Sequence, residues 1–307
     1  MTPLKLKHLI NPMVDCVFKA ILGAPENINL TLNFLNAIIK PGIPIKQIEI
    51  QNPYNEKEFL SDKLTIVDIK AKDEQNNSYQ IEVQLAVFSY LPERMLYTWS
   101  DIYQSQLTSG KNFKELKPVV SIWLLGDTLL NQSAEFHHHF QIYDSVKKVP
   151  LSDHCSIHLI ELPKWQQKSD TLNNEDEWLY FFQNAKNWDQ LPNQLNTPEM
   201  RQAMEVLSMF SEKENEYHRY QSRRIALIEE ATKKQLFEEA EQKLIKVAKI
   251  EQENKQVKEN LKQVKEENKQ ALKEKEQAQK ERKQALEEKE RLIILLKNAG
   301  IDPNSST

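Results

Sequence analysis

An α/β globular domain followed by one very long helix is the fold this sequence predicts. Three observations lead there. Before Glu212, segments alternating with period two are interspersed with segments of helical spacing. After Glu212 the composition changes abruptly: no Pro occurs before Pro303 and no Gly before Gly300, and Lys, Glu and Gln dominate. Within that second part a seven-residue repeat runs through KQVKEN at 255, KQVKEE at 262, KQALKE at 269, EQAQKE at 276 and KQALEE at 283. The expected organisation is therefore a mixed domain with a helical extension over 1–212, a long helix or coiled coil over 213–298, and a tail over 299–307.

Within the first part, Asp15 to Leu22 reads as a short helix after Pro12, and ENINLTLNFLNAII (26–39) as a second, closed by Pro41-Gly42. IPIKQIEIQ (43–51) alternates and predicts a strand. VDIKAKDEQNNSYQIEVQ (67–84) predicts a hairpin whose polar link spans Asp73 to Asn77. PERMLYTWSDIYQSQLTSG (92–110) is expected to be a helix capped by Gly110. PVVSIWLLG (118–126) is a continuous apolar run of strand length, and EFHHHFQIYD (135–144) and CSIHLIELP (155–163) extend the sheet. Helices follow at 175–188 and 198–217.

The tail places Ile250, Val257, Val264, Ala271, Ala278, Ala285 and Leu292 at heptad d positions, with Asn254, Asn268, Lys275, Arg282 and Lys289 among the a positions. Polar a residues specify register at a cost in stability, and alanine at d buries little area. A parallel dimeric coiled coil is the expected form; the alternative is a solvated single helix laced by i,i+4 Glu–Lys pairs.

The chain of 307 residues has a net charge of −4, so any attraction to nucleic acid must come from a local basic surface. Cys16 and Cys155 match no zinc spacing, which suggests a reducing compartment. Neither a secretory leader nor a membrane span is read from the sequence, and a cytoplasmic location is expected.

The hairpin carries the chemistry. With its turn centred on Gln75, antiparallel pairing sets Asp68 opposite Glu82, and a slip of one residue would mix polar and apolar faces. Two facing carboxylates repel unless a positive charge lies between them. Either Lys70 and Lys72 neutralise them in solvent, or a hard divalent cation takes them as oxygen ligands. Asp15 shares a helix face with Lys19, a spacing that serves a surface ion pair or a third acid of a metal pocket. Arg94 and Tyr97 share a face of the helix after the hairpin, which also bears Tyr103 and Gln106. His137 and His139 share a strand face and are expected to be solvated rather than metal-bound, and His154 and His158 have no third partner.

Read in order, DCVFKAIL, NFLNAII, VDIKAKD, QIEVQ, PERMLYTWSDIYQSQLTSGKNF and LKPVVSIWLL resemble the recombination-promoting nucleases, the PD-(D/E)XK nuclease family transposases. The resemblance is close over residues 8–130, and LLKNAGID near the end looks like a remnant of that family's C-terminal segment. It implies a restriction-endonuclease-like core, a mixed sheet flanked by helices, and Mg²⁺-dependent (or Mn²⁺-dependent) endonucleolytic hydrolysis of DNA phosphodiesters in a mobile-element, recombination or defence setting. It assigns Asp68 and Glu82 as metal-binding acids, with the Val83 carbonyl as a further ligand and Asp15 as the N-terminal acid. Gln84 stands where the general motif has lysine. A neutral amide can only orient the attacking water, so either Lys70 or Lys19 supplies the missing cation or the metal does most of the work. Arg94 and Tyr97 are candidates for contacting nucleic acid or for supporting the pocket, with a packing role the alternative for the tyrosine. The alternative is a degenerate domain that binds DNA without cutting, or a scaffold for an interacting coiled coil.

Overall fold

The computed structural model describes residues 6–51, 68–107, 110 and 112–298, the backbone alone at Asp68 and 296–298. Among the described residues six strands form one sheet: β1 (Ile48–Ile50), β2 (Asp68–Asp73), β3 (Ser78–Gln84), β4 (Val119–Leu125), β5 (His137–Phe140) and β6 (Cys155–Glu161), in the order β1-β2-β3-β4-β6-β5. β1, β2 and β3 pair antiparallel, β3, β4 and β6 pair parallel, and β5 closes the edge antiparallel to β6. The helices are α1 (Asp15–Leu22), α2 (Ile28–Ile39), α3 (Leu91–Gln104), α4 (Asn174–Asn184), α5 (Pro198–Glu212) and α6 (Glu214–Asn298). This is a mixed sheet with flanking helices and a long C-terminal helix, an α/β architecture of restriction-endonuclease type.

Parallel strands covered on both faces need apolar side chains pointing both ways, which accounts for the unbroken run VVSIWLL in β4. Ile122 and Leu124 join Ile69, Ile81 and Ile160 in the larger core with α1, α2, α4 and α5. Trp123 and Leu125 turn the other way and join Leu91 and Met95 of α3 with Ile157 and Leu159. An aromatic cluster of Phe18, Phe34, Trp178 and Phe182 locks the helices of the larger core together at ring separations of 5.3–6.1 Å. Gly23 lets α1 approach the hairpin: a Cβ there would lie 2.8 Å from the Lys19 carbonyl oxygen and 3.2 Å from Ile69 Cγ1.

The expected elements are present, with four corrections to their extents. The strand expected over 43–51 pairs only at Ile48–Ile50, because the Asn36 side chain binds both the N–H and the C=O of Ile45 and holds that segment in a loop. The helix after the hairpin ends at Gln104 rather than at Gly110; Ser105 closes it in a right-handed conformation, and Gln106 turns to bind the Lys117 backbone. Gly110 does use its positive φ of 90°, but in the connection to β4. The first strand of the 135–144 segment stops at Phe140, after which Tyr143 and Pro150 form an isolated bridge. The helix expected over 198–217 is broken at Lys213, whose extended backbone separates α5 from α6.

One compact unit runs from Met1 to Lys234 and a second from Gln235 to Thr307. The first turns of α6 thus belong to the α/β unit. Tyr217 stacks on His8 at 4.1 Å, the Tyr220 hydroxyl accepts a hydrogen bond from the Asn11 N–H, and Lys234 Nζ lies 3.6 Å from Asp127. In the second unit the large apolar residues of the repeat, Ile250, Val257, Leu261 and Val264, are at least half exposed. Gln263, Gln270 and Gln277 each donate to the Glu four residues on, supporting a solvated flank.

Candidate active site

The hairpin register pairs Asp68 with Glu82, Lys70 with Gln80 and Lys72 with Ser78. The side chain of Asp68 lies outside the described residues. Glu82 is 1 % exposed, on the α3 face of β3, beside Trp123 of β4. Burying a carboxylate there requires compensating donors. A directed chain supplies one: Trp123 Nε1–H donates to Ser121 Oγ at 2.8 Å, Ser121 Oγ–H to Gln80 Oε1 at 3.4 Å, and Gln80 Nε2–H to Glu82 Oε1 at 3.0 Å. Arg94 from α3 brings Nη2 to 3.7 Å from Glu82 Oε2 and lies over the Trp123 ring at 5.4 Å.

Gln84, two residues on and therefore on the same strand face, is held at both ends of its amide. Its Nε2 donates to the Ala86 carbonyl at 2.8 Å, and its Oε1 accepts from Arg94 Nη1 at 3.1 Å. The carbonyl partner fixes which end of the amide is nitrogen, so the oxygen faces the guanidinium.

Asp15 enters from the start of α1, where a negative charge suits the helix dipole. Its Oδ1 accepts from the Cys16 N–H at 2.7 Å and its Oδ2 lies 3.3 Å from Arg223 Nε of α6. Burial raises the Asp15 pKa above the ordinary carboxylate value; the Arg223 charge, the Cys16 N–H and the Lys19 charge pull in the opposite direction. Asp15, Glu82, Val83, Gln84 and Arg94 line one cleft of about 290 Å³, together with Arg223, Glu230 and Lys233. The carboxylates of Asp15 and Glu82 and the main chain at Val83 bring hard oxygen donors to one cleft, a set that suits a cation bound through one or two carboxylates with water completing its shell. Among the described residues no three His, Cys, Asp or Glu side chains form a ready-made metal cage.

Of the other residues singled out by sequence, Lys19 and Lys70 are not among those lining the cleft, and Tyr97 is 74 % exposed on α3. Tyr103 hydrogen-bonds to His154 Nδ1 at 2.8 Å and stacks on Trp99. Sequence reading missed the α6 residues because the boundary was drawn at the composition change. The aromatic pair Tyr217 and Tyr220, which precedes the heptads, was the available signal that the globular packing continues into α6.

A second polar cluster corrects two expectations, that His137 and His139 are solvated and that His158 has no third partner. His158 is 3 % exposed, and the rings form a hydrogen-bonded chain with Ser156 and Glu175. His139 Nε2 lies 2.8 Å from Ser156 Oγ, Ser156 Oγ 3.2 Å from His158 Nε2, His158 Nδ1 2.9 Å from His137 Nε2, and His137 Nδ1 2.6 Å from Glu175 Oε1. Lys40 holds the other Glu175 oxygen at 2.5 Å. Burial, then the His139 and His137 charges, push the His158 pKa down to about 3. The expected isolation fails because β5 lies antiparallel to β6 and pairs His139 with His158.

The sheet, the paired acids and the cleft define a nuclease-like α/β domain. A family model described as PD-(D/E)XK nuclease family transposase matches residues 12–227, more than half of the chain, and the protein belongs to that family. Nucleases of this class generally use divalent metals. No curated protein and no solved structure matches the chain.

Proposed function

We propose that this protein is a Mg²⁺-dependent DNA endonuclease, hydrolysing phosphodiesters in a mobile-element, recombination or defence context. The observation that carries the reading is the buried Glu82 carboxylate, opposite Asp68 in register and facing the same cleft as Asp15. In this reading Asp68, Glu82 and the Val83 carbonyl hold the metal, and Asp15 contributes the N-terminal acid. When bound, the ion supplies positive charge to the phosphate and lowers the pKa of its water. Gln80 keeps the Glu82 carboxylate oriented by donating to one oxygen. Lys19 and Lys70 add positive charge near the acids, and Arg94 and Tyr97 contact nucleic-acid phosphates. Mn²⁺ serves in place of Mg²⁺. Among the described residues no helix is long and apolar enough to cross a membrane, and the protein acts in the cytoplasm. The exposed heptad stripe of α6 pairs with a second copy of the chain, which brings two nuclease units to one substrate.

A second reading, a domain that binds DNA without cutting, is favoured by Gln84 in the lysine position. Nicking of supercoiled plasmid with and without Mg²⁺ separates the two. Metal-dependent nicking is expected; binding without any nicking would refute the endonuclease reading. Mn²⁺ anomalous density within ligand distance of both Asp68 and Glu82 is the structural counterpart, and density elsewhere only would remove the assigned site.

A further inference from the structure

We infer that Arg94 is the catalytic cation of this site in place of the motif lysine, and that Gln84 is the residue that positions it. The inference rests on the nuclease reading above and assigns a role within it. Lysine at position 84 would project its ammonium from β3 toward the acids. Here that space holds a guanidinium delivered from α3, with Nη1 3.1 Å from Gln84 Oε1 and Nη2 3.7 Å from Glu82 Oε2. The Gln84 amide is committed at both ends, to Arg94 and to the Ala86 carbonyl, so its role is to position the cation. A lysine at 84 would set two cations against each other, whereas a neutral acceptor fixed by Ala86 holds the guanidinium at a defined angle.

Arg94 has other marks of a side chain placed for function. Its Nε is buried and has no hydrogen-bond partner among the described residues, a state that typically costs about 1–3 kcal/mol. The side chain is nonetheless about a quarter exposed and lines the cleft. A planar guanidinium matches the oxygens of a phosphate in two directions. In hydrolysis the water oxygen bonds to phosphorus and its proton passes to solvent, while the bond to the leaving ester oxygen breaks and that oxygen takes a proton from solvent. Negative charge accumulates on the non-bridging oxygens, and a fixed cation beside them lowers that barrier. A guanidinium keeps its protons at working pH, so this residue acts by charge and not as a base.

The test uses the full chain, and compares wild type, Arg94→Gln, Arg94→Lys and the double exchange Gln84→Lys/Arg94→Gln. Three quantities are read: Mg²⁺-dependent plasmid nicking, Mn²⁺ binding by calorimetry, and affinity for a short DNA duplex in Ca²⁺. Loss of one charge-stabilising donor typically costs about 10²–10³ in kcat. Arg94→Gln is expected to lose that much in kcat, with Mn²⁺ affinity within about threefold of wild type and duplex affinity falling far less than kcat, because one phosphate contact is lost from binding while the charge that stabilises the transition state is lost entirely. Arg94→Lys is expected to retain more activity than Arg94→Gln. The double exchange, which returns a cation to the site from β3, should recover to within about tenfold of wild type. The inference is overturned, with the nuclease reading intact, if wild type nicks and Arg94→Gln nicks equally well. A parallel fall in Mn²⁺ affinity, or a double exchange no better than Arg94→Gln, also overturns it, since either result marks a structural arginine. A wild type that does not nick removes both conclusions together.

Discussion

Lowering the pH from 7.5 to 5 is predicted to remove about 2 kcal/mol of folding stability through His158 alone. In the unfolded chain this histidine titrates near 6.5, whereas in the fold burial and the neighbouring His139 and His137 hold its pKa at about 3. The folded pKa is depressed, so between these values the unfolded chain binds a proton that the folded chain does not, and stability falls as pH falls. At pH 5 the magnitude is set by the unfolded-state titration: 1.36 kcal/mol per pH unit over about one and a half units gives about 2 kcal/mol. Structurally, charging His158 would put a proton on both ring nitrogens, between Ser156 Oγ at 3.2 Å and His137 Nε2 at 2.9 Å, so that one of these neighbours must turn its own proton away. His139, whose pKa is also lowered, chiefly by burial, adds to the loss in the same direction. Urea unfolding followed by tryptophan emission is a suitable assay, because Trp123 and Trp178 are fully buried. The slope with pH for wild type is compared with that for His158→Asn, which removes the titrating ring and cancels contributions from groups elsewhere. His158→Asn is expected to be less stable at pH 7.5 but flatter toward pH 5 by about 2 kcal/mol. Parallel curves for the two proteins would refute a neutral buried His158.

Asp68→Ala should abolish metal-dependent nicking while leaving the metal-free melting temperature unchanged or higher, because it removes one of two carboxylates paired in register; a clear drop would mark Asp68 as structural. Gly23→Ala should cost about 1–3 kcal/mol, since the new methyl meets the Lys19 carbonyl oxygen at 2.8 Å and Ile69 at 3.2 Å; urea midpoints within error of wild type would show that α1 relaxes freely. Sedimentation should find the full chain dimeric at tens of micromolar and a chain ending at Lys234 monomeric, since the apolar heptad positions lie beyond that residue; two monomers would leave α6 a solvated single helix.

Local periodicity determined much of this protein. The period-two alternation of 67–84 dictated the hairpin register, and the pairing of Asp68 with Glu82 follows from it, because a shift by one residue would mix the polar and apolar faces. The unbroken apolar run of β4 dictated a strand covered on both faces, and the loss of Gly and Pro after Glu212 dictated α6. The tertiary structure decided what has no local period. Arg94 reaches Gln84 only because α3 folds back over the sheet, and Asp15 meets Arg223 only because the first turns of α6 pack beside α1. Nothing in the spacing of His137, His139, His158 and Glu175 announces their hydrogen-bonded chain, which depends on β5 lying antiparallel to β6 and α4 crossing beside it. Period reports which face of an element is buried. It carries no information on which distant charge will stand opposite, because that is decided by packing the faces together, where a buried charge is retained only with a partner in place.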